Sequence, residues 1–185
     1  SDVNQDGWID LLVTHHWGPV RYFENHEGSL SDSTDRSGMQ SYQGVWNGIA
    51  GADVDNDGDI DYAVTNLGLN TKYHASKKKP FTMFYGDMDG SGKKRLIEAE
   101  YGGDKWYPVR GKSCSTLAMP SLKNKFPDFG SFAIATLEEI YPPAKLEDSE
   151  RFDATHLESG IFMNDGTGHF EFRPLPRLAQ ITAAF

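Results

Sequence analysis

Short runs in which apolar and polar residues alternate recur along the chain and predict β-strands. Residues 20–24 alternate in this way, and residues 81–85 form a similar run. Residues 161–163 lead through an Asn-Asp-Gly turn into residues 169–172, which is typical of a β-hairpin. We therefore expect a mainly β fold.

The segment from about residue 113 to residue 151 departs from this alternation and has helical spacing. Its pattern predicts a helix over residues 132–141 that ends at Pro142-Pro143, because proline cannot continue a helix. The length of the segment argues against a plain loop. We expect a small helical insertion between two strands.

An acidic, glycine-containing loop followed by an apolar run occurs twice with clear similarity and once more weakly. Residues 2–13 align with residues 53–64 at an offset of 51 (53 − 2), and the weaker copy begins at Asp87. Because about 40–50 residues make one four-stranded blade of a β-propeller, the spacing indicates blades. We predict a partial β-propeller of about three four-stranded blades, with repeats starting near residues 2, 53 and 87 and the helical insertion at about 113–151. Since the sequence opens inside the first repeat, we expect residues 1–185 to be a fragment of one propeller domain.

The spacing of polar residues within the first two loops matches what a calcium ion requires. Calcium takes about six to eight oxygen ligands at about 2.3–2.6 Å, and alternate side chains of a tight turn point inward. Gly7 and Gly58 stand where the loops reverse direction. The predicted ligands of the first loop are Asp2, Asn4, Asp6, the carbonyl of Trp8, and Asp10. Those of the second loop are Asp53, Asp55, Asp57, the carbonyl of Asp59, and Asp61.

Two alternatives compete with this interpretation of the first two loops. An EF-hand needs a glutamate at the twelfth loop position and flanking helices. Val13 and Val64 occupy that position and β-type residues follow, which argues against an EF-hand. An Asp-Gly turn that binds no metal is the second alternative, and a match at every ligand position of both loops disfavours it.

The third loop departs from the motif. Glu98 falls at its twelfth position, but Arg95 stands where the other two loops have their last aspartate. We expect the guanidinium of Arg95 to pair with Asp87 or Asp89 in place of a metal, and we assign no metal site to this loop.

Composition narrows the classes of function. The formal net charge is −9, and the main basic run is Lys77-Lys78-Lys79, so we expect no nucleic-acid partner. No apolar run approaches the roughly 20 residues that a bilayer requires, so we expect no membrane insertion. The single cysteine, Cys114, excludes an internal disulfide.

The loops and hairpins resemble FG-GAP/VCBS repeats, which build integrin alpha-subunit propellers and occur in many secreted bacterial proteins. The resemblance rests on residues 2–13 and 53–64, supported by the hairpin motifs at residues 22–25 and 162–166. Residues 107–176 further resemble bacterial relatives of the ASPIC/UnbV, cartilage-acidic-protein group, whose propellers carry a helical insertion. The resemblance implies a calcium-binding extracytoplasmic module (secreted, periplasmic or cell-surface) that acts in cell adhesion, complex assembly or ligand binding.

The residues suited to catalysis do not form a recognisable constellation in the sequence. His15 and His16 are adjacent, so in a strand their rings face opposite sides, and Cys114 lacks a placed base. We predict no catalytic residue, a protein that is not an enzyme, Ca²⁺ as the bound cofactor, and a protein or glycan ligand as partner.

A second function remains open, namely part of a propeller-type carbohydrate-active lyase or hydrolase. Aromatic residues that can stack on sugars occur at Trp17, Trp46, Trp106 and Tyr107. Tryptophans between propeller blades usually belong to the core, however, and the sequence does not assemble a cluster of ionisable groups around them.

Overall fold

The computed structural model describes residues 1–183, which are mainly β, as the alternating pattern predicts. The strands of the first half are β1 Leu11–Val13, β2 His16–Gly18, β3 Arg21–His26, β4 Ser29–Asp32, β5 Gly44–Val45, β6 Gly48–Ala52 and β7 Asp61–Thr65. The later strands are β8 Phe81–Gly86, β9 Arg95–Gly102, β10 Lys105–Pro108, β11 Glu150–Ala154, β12 Gly160–Asn164 and β13 Phe170–Pro174. Within residues 1–183 they form four sheets.

The chain forms two compact units. The first contains residues 1–77 together with the chain from Ala154 onward, and the second contains Lys78–Asp153. The first unit holds a sheet in the order β1-β3-β4, a pair β2-β5, and a four-stranded sheet in the order β13-β12-β7-β6. The second unit holds a four-stranded sheet in the order β10-β9-β8-β11.

The four-stranded sheet of the first unit is built from two separate parts of the sequence. Strand β7 ends at Thr65, and its neighbour β12 begins at Gly160 and pairs with it through Val64 and Ala63. Strand β12 then pairs with β13 in the predicted hairpin, with Phe162 opposite Phe172. The whole second unit is therefore an insertion in the sequence between two hydrogen-bonded strands. The number of propeller blades stays a prediction.

Aromatic side chains fill the core of the first unit. Trp46, Tyr22 and Phe162 are almost fully buried, and Phe162 meets Phe172 and Phe170 at ring-centroid distances of 5.2 and 6.3 Å. Tyr22, Phe162 and Phe170 come from the alternating positions of β3, β12 and β13, which is why a period of two predicts the buried face, whereas Trp46 directly follows β5. Truncating one such ring to alanine costs about 3–5 kcal/mol.

Short helices occupy much of the second unit and pack against its sheet. They are α1 Lys112–Ala118, α2 Leu122–Lys125, α3 Phe129–Ala133, α4 Leu137–Ile140 and α5 Pro143–Glu147. Their buried residues include Leu137 and Ile140, which share a core with Phe84 and Ile97 of the sheet.

The expectation of one helix over residues 132–141 is wrong. Helix α3 ends at Ala133, and Thr136 starts α4 through a capping box in which its backbone N–H donates to the Glu139 carboxylate at 2.7 Å. The proline pair also begins a helix, because Pro143 is the first residue of α5, where the missing N–H costs nothing. None of the helices among the described residues is long and apolar enough to cross a membrane.

Candidate metal sites in the acidic loops

The three acidic loops share one backbone conformation. We define them as the first loop (residues 2–10), the second loop (53–61) and the third loop (87–95). In each, the fourth and sixth residues have positive φ, which is unfavourable for most side chains and easy for glycine. The values are 57° for Gln5, 92° for Gly7, 63° for Asn56, 98° for Gly58, 75° for Gly90 and 79° for Gly92. The third loop therefore forms the same turn as the other two, despite its weak sequence similarity to them.

The first aspartate of each loop holds this turn closed. Its carboxylate accepts a hydrogen bond from the backbone N–H of the glycine five residues later. The distances are 2.9 Å for Asp2 and Gly7, 3.2 Å for Asp53 and Gly58, and 2.8 Å for Asp87 and Gly92. This aspartate is therefore placed inside the loop, where a cation would sit.

The last aspartate of the first loop, Asp10, is buried and anchored at both oxygens. Oδ2 accepts from the backbone N–H of Val3 at 2.9 Å, and Oδ1 accepts from the backbone N–H of Asn25 at 2.8 Å. The hydroxyl of Tyr22 also donates to Oδ2 at 3.3 Å, and burial together with the charge of Asp10 raises the pKa of that tyrosine. Asp10 thus ties the loop to β3.

The corresponding residue of the second loop, Asp61, is fully buried and repeats this arrangement. Its Oδ2 accepts from the backbone N–H of Val54 at 3.0 Å, and its Oδ1 accepts from that of Asn164 at 2.9 Å. A carboxylate oxygen has two lone pairs, so each keeps one acceptor position after this bond. Asp61 can therefore anchor the sheet and contribute an oxygen to a cation.

Three carboxylates of the second loop converge. One oxygen each from Asp53, Asp55 and Asp61 lies within 4.8 Å of the others. Two ligands of one calcium ion stand at most about 5 Å apart, because each bond is about 2.3–2.6 Å long. Desolvation raises the pKa of Asp55, and the charges of Asp57 and Asp61 raise it further. The oxygen donors therefore fit a calcium ion.

Asp57 and Asp59 complete the second loop in different ways. Asp57 is exposed, and its Oδ1 accepts from the backbone N–H of Asp59 at 3.0 Å. The side chain of Asp59 accepts a hydrogen bond from Gln5 and lies so near Gly166 that a Cβ there would approach Oδ2 to 2.6 Å. Only the backbone carbonyl of Asp59 is predicted as a ligand, and its side chain is engaged elsewhere.

In the first loop a residue outside the motif joins the cluster. Asp6, Glu24 and His26 bring one ligand atom each within 4.8 Å of one another, whereas Asp2 and Asp10 are not members of this group. The Asn4 amide donates to Glu24 Oε1 at 2.8 Å and to Asp6 Oδ2 at 3.2 Å.

Two further contacts complete the first loop. The backbone N–H of Trp8 donates to Asp6 Oδ1 at 2.9 Å, and the indole of Trp8 is 44% exposed. The Glu24 carboxylate is buried and accepts from Ser33 Oγ at 2.9 Å and from Arg36. Glu24 is not among the ligands predicted from the sequence, although its place directly before Asn25 in β3 puts it beside the loop.

The third loop contains a basic side chain where the others have Asp10 and Asp61. Arg95 Nη2 lies 3.8 Å from Asp89 Oδ2, and the Arg95 side chain is 23% exposed. The hydroxyl and backbone N–H of Ser91 lower the pKa of Asp89, and the charge of Arg95 lowers it further. A guanidinium thus supplies positive charge to this loop.

The tryptophans considered for a sugar platform have different surroundings. Trp46 is 1% exposed and belongs to the core of the first unit. Trp106 is partly buried against the core of the second unit and lines a groove there. A platform made of all four aromatic residues is therefore not supported by the burial of Trp46.

Comparison with known proteins identifies the repeats. Residues 2–64 match the family described as FG-GAP-like repeat, a segment that contains the first and second loops and ends within β7. Residues 2–64 therefore contain an FG-GAP-like repeat, as the resemblance of the two loops predicts. No curated protein and no solved structure matches the chain.

Proposed function

We propose that the chain is part of a calcium-stabilised β-propeller that acts outside the cytoplasm as a binding or scaffold module. Its partner would be a protein or a glycan, and adhesion, complex assembly or ligand binding would be its role. The convergence of Asp53, Asp55 and Asp61 in the second loop carries this proposal. The resemblance to ASPIC/UnbV relatives and the count of about three blades belong to the same proposal.

The charge of the second loop supports a resident cation. Five aspartates alternate between residues 53 and 61, and like charges this close repel one another. Bound calcium would supply the positive charge that neutralises them. The first loop would use Asp2, Asn4, Asp6, Asp10 and the Trp8 carbonyl as predicted. Glu24 is placed to add a further carboxylate.

Calcium sites with the affinity of extracellular modules would be occupied outside the cytoplasm. Extracellular modules bind calcium with dissociation constants of about 10⁻⁴–10⁻³ M, so these sites would fill outside cells and stay largely empty in the cytosol. A ligand that binds only the folded state adds RT ln(1 + [L]/Kd) to stability. The acidic loops would then stabilise β1 and β7, the strands that follow them.

Calorimetric titration with calcium tests the proposal. The wild-type chain should bind two ions, and Asp57→Asn should lose the second-loop site while keeping the first. Asp35→Asn removes the same charge at an exposed position outside the loops and should bind like the wild type. Absence of calcium binding to the wild type at millimolar concentrations, or an unchanged isotherm for Asp57→Asn, would refute the ligand assignment.

A further inference from the structure

The second unit contains a groove between its sheet and its helices. Two adjoining cavities of about 510 and 600 Å³ share Tyr101, Trp106, Glu138 and Pro143 in their walls. Ligand pockets in proteins have volumes of about 300–1,000 Å³. The groove lies between one end of the sheet and helices α4 and α5, and all its residues belong to Lys78–Asp153.

One wall of the groove is aromatic. Trp106 of β10 stands directly opposite Tyr101 of β9, and the two rings meet edge to face with centroids 5.1 Å apart. Phe84 of β8 packs 4.9 Å from Trp106 and fixes it from the core side. Because Trp106 and Tyr101 remain partly exposed, they present an apolar surface to a ligand.

A guanidinium is fixed beside this wall. Arg151 Nε and Nη2 lie 3.0 and 2.9 Å from the two carboxylate oxygens of Asp153, in a bidentate pair. The Arg151 Cζ atom lies 4.7 Å from the centroid of the Trp106 ring. A guanidinium has five N–H donors and this pair uses only some of them, so Arg151 can still donate to a ligand.

Three carboxylates line the same groove from the helices, and one of them, that of Glu139, is engaged in the capping box of α4. Glu138 of α4 and Glu147 of α5 are exposed and line it. Within residues 1–183 neither carboxylate has a hydrogen-bond or ion-pair partner. Each is therefore able to accept hydrogen bonds from ligand hydroxyl groups.

We propose that this groove binds a neutral oligosaccharide. The ring faces of Trp106 and Tyr101 suit the C–H faces of a sugar, and the carboxylates and Arg151 suit its hydroxyl groups as acceptors and donor. Arg151, which lies over the Trp106 ring, would repel a cationic ligand. The two unpaired carboxylates would repel an anionic ligand. Asp104 and Lys105 also line the second cavity, so the charge along the aromatic wall is mixed, which favours a ligand that is polar and uncharged.

The groove is independent of the proposed calcium sites, since no residue of the first or second loop lines it. Binding is tested with a panel of neutral trisaccharides (cellotriose, maltotriose, xylotriose, mannotriose and triacetylchitotriose) by saturation-transfer NMR and calorimetry. Trigalacturonate and choline serve as the anionic and cationic comparators. Each titration is run with calcium and with chelator, so failure of the calcium proposal and failure of the groove proposal are seen separately.

Substitutions in the groove locate the binding. At least one neutral trisaccharide should bind, and Trp106→Ala should abolish measurable binding. Glu138→Gln should raise the dissociation constant at least about fivefold through loss of a charged acceptor. Glu100→Gln makes the same chemical change on the opposite face of β9 and should leave binding unchanged.

If Trp106→Ala fails to fold, the Glu138→Gln variant still tests the proposal, because Glu138 is exposed and its substitution should not disturb the fold. No binding by any neutral trisaccharide overturns the proposal, as does binding that Glu138→Gln leaves unchanged. Binding confined to choline or to trigalacturonate also overturns it, because the charge argument would then be wrong.

Discussion

The buried carboxylate of Asp61 accepts a hydrogen bond at 2.9 Å from the backbone N–H of Asn164, a residue 103 positions later in the chain. The same bond joins Asp10 to Asn25 at 2.8 Å in the first repeat. In the second repeat the bond links β7 to β12 across the inserted second unit. The last aspartate of the second loop therefore has a structural role that does not require a metal.

Asp61→Ala and Asp57→Ala are expected to have different effects on stability without calcium. Removing Asp61 leaves the partly buried N–H of Val54 and the buried N–H of Asn164 without their acceptor and should cost roughly 2–4 kcal/mol. Asp57 is exposed and bonds only within its loop, so its loss should cost less than about 1 kcal/mol. Urea unfolding in excess chelator measures both. Equal destabilisation by the two substitutions would contradict the anchoring role of Asp61.

A metal site can be introduced into the third loop. Because this loop has the turn of the other two, Arg95→Asp should restore the last ligand and add one calcium ion to the calorimetric stoichiometry. Arg95→Gln removes the positive charge without supplying a carboxylate and should add no ion. An unchanged stoichiometry for Arg95→Asp, in a variant that retains the circular-dichroism spectrum of the wild type, would show that the arginine is not what excludes the metal.

His156 is expected to make the first unit less stable in mild acid. Burial lowers its pKa, and the charge of Lys77 lowers it further. Its ring packs against Tyr42 at a centroid distance of 5.0 Å, and Nδ1 pairs with the Thr155 hydroxyl at 2.9 Å.

The sign of the effect follows from the two pKa values. As the pH falls through about 6.5, the unfolded chain takes up the proton before the folded protein does, so the free energy of unfolding decreases. That loss continues until the pH reaches the lower pKa of the folded state. Unfolding curves from about pH 7.5 to about pH 5.5 should show a smaller decrease for His156→Phe than for the wild type. His74→Gln, at an exposed position, should follow the wild type, and identical slopes for all three proteins would contradict the prediction.

Local patterns in the sequence predict much of the first unit. The alternation over residues 20–24 and 161–172 marks β3 and the β12–β13 hairpin, and the two acidic motifs mark turns that end at β1 and β7. These features depend on side-chain period and turn chemistry, which act over a few residues. Strand pairing across an insertion depends on contacts between residues far apart in sequence. The local patterns therefore did not predict that β7 pairs with β12.

In the candidate sites, too, the sequence predicts the arrangement of neighbouring residues but not the contacts between residues far apart in the chain. The motif predicts that Asp53, Asp55 and Asp61 converge, because their spacing alone sets the turn. Glu24 joins the first cluster from a neighbouring strand, and no motif within the loop can indicate it. The groove at Trp106 likewise brings together β9, β10, β11 and two helices, whose packing is not encoded in any short segment.

Thermal unfolding of the wild-type chain in about 1–5 mM calcium and in excess chelator shows whether calcium stabilises the acidic loops. At a concentration about 100 times the dissociation constant, each site adds about 2.7 kcal/mol, and lower saturation adds less. We expect a higher melting temperature in calcium, a smaller shift for Asp57→Asn, and no such shift with magnesium at the same concentration. Identical melting temperatures in calcium and chelator would contradict this expectation and would leave the acidic loops as turns held by hydrogen bonds alone.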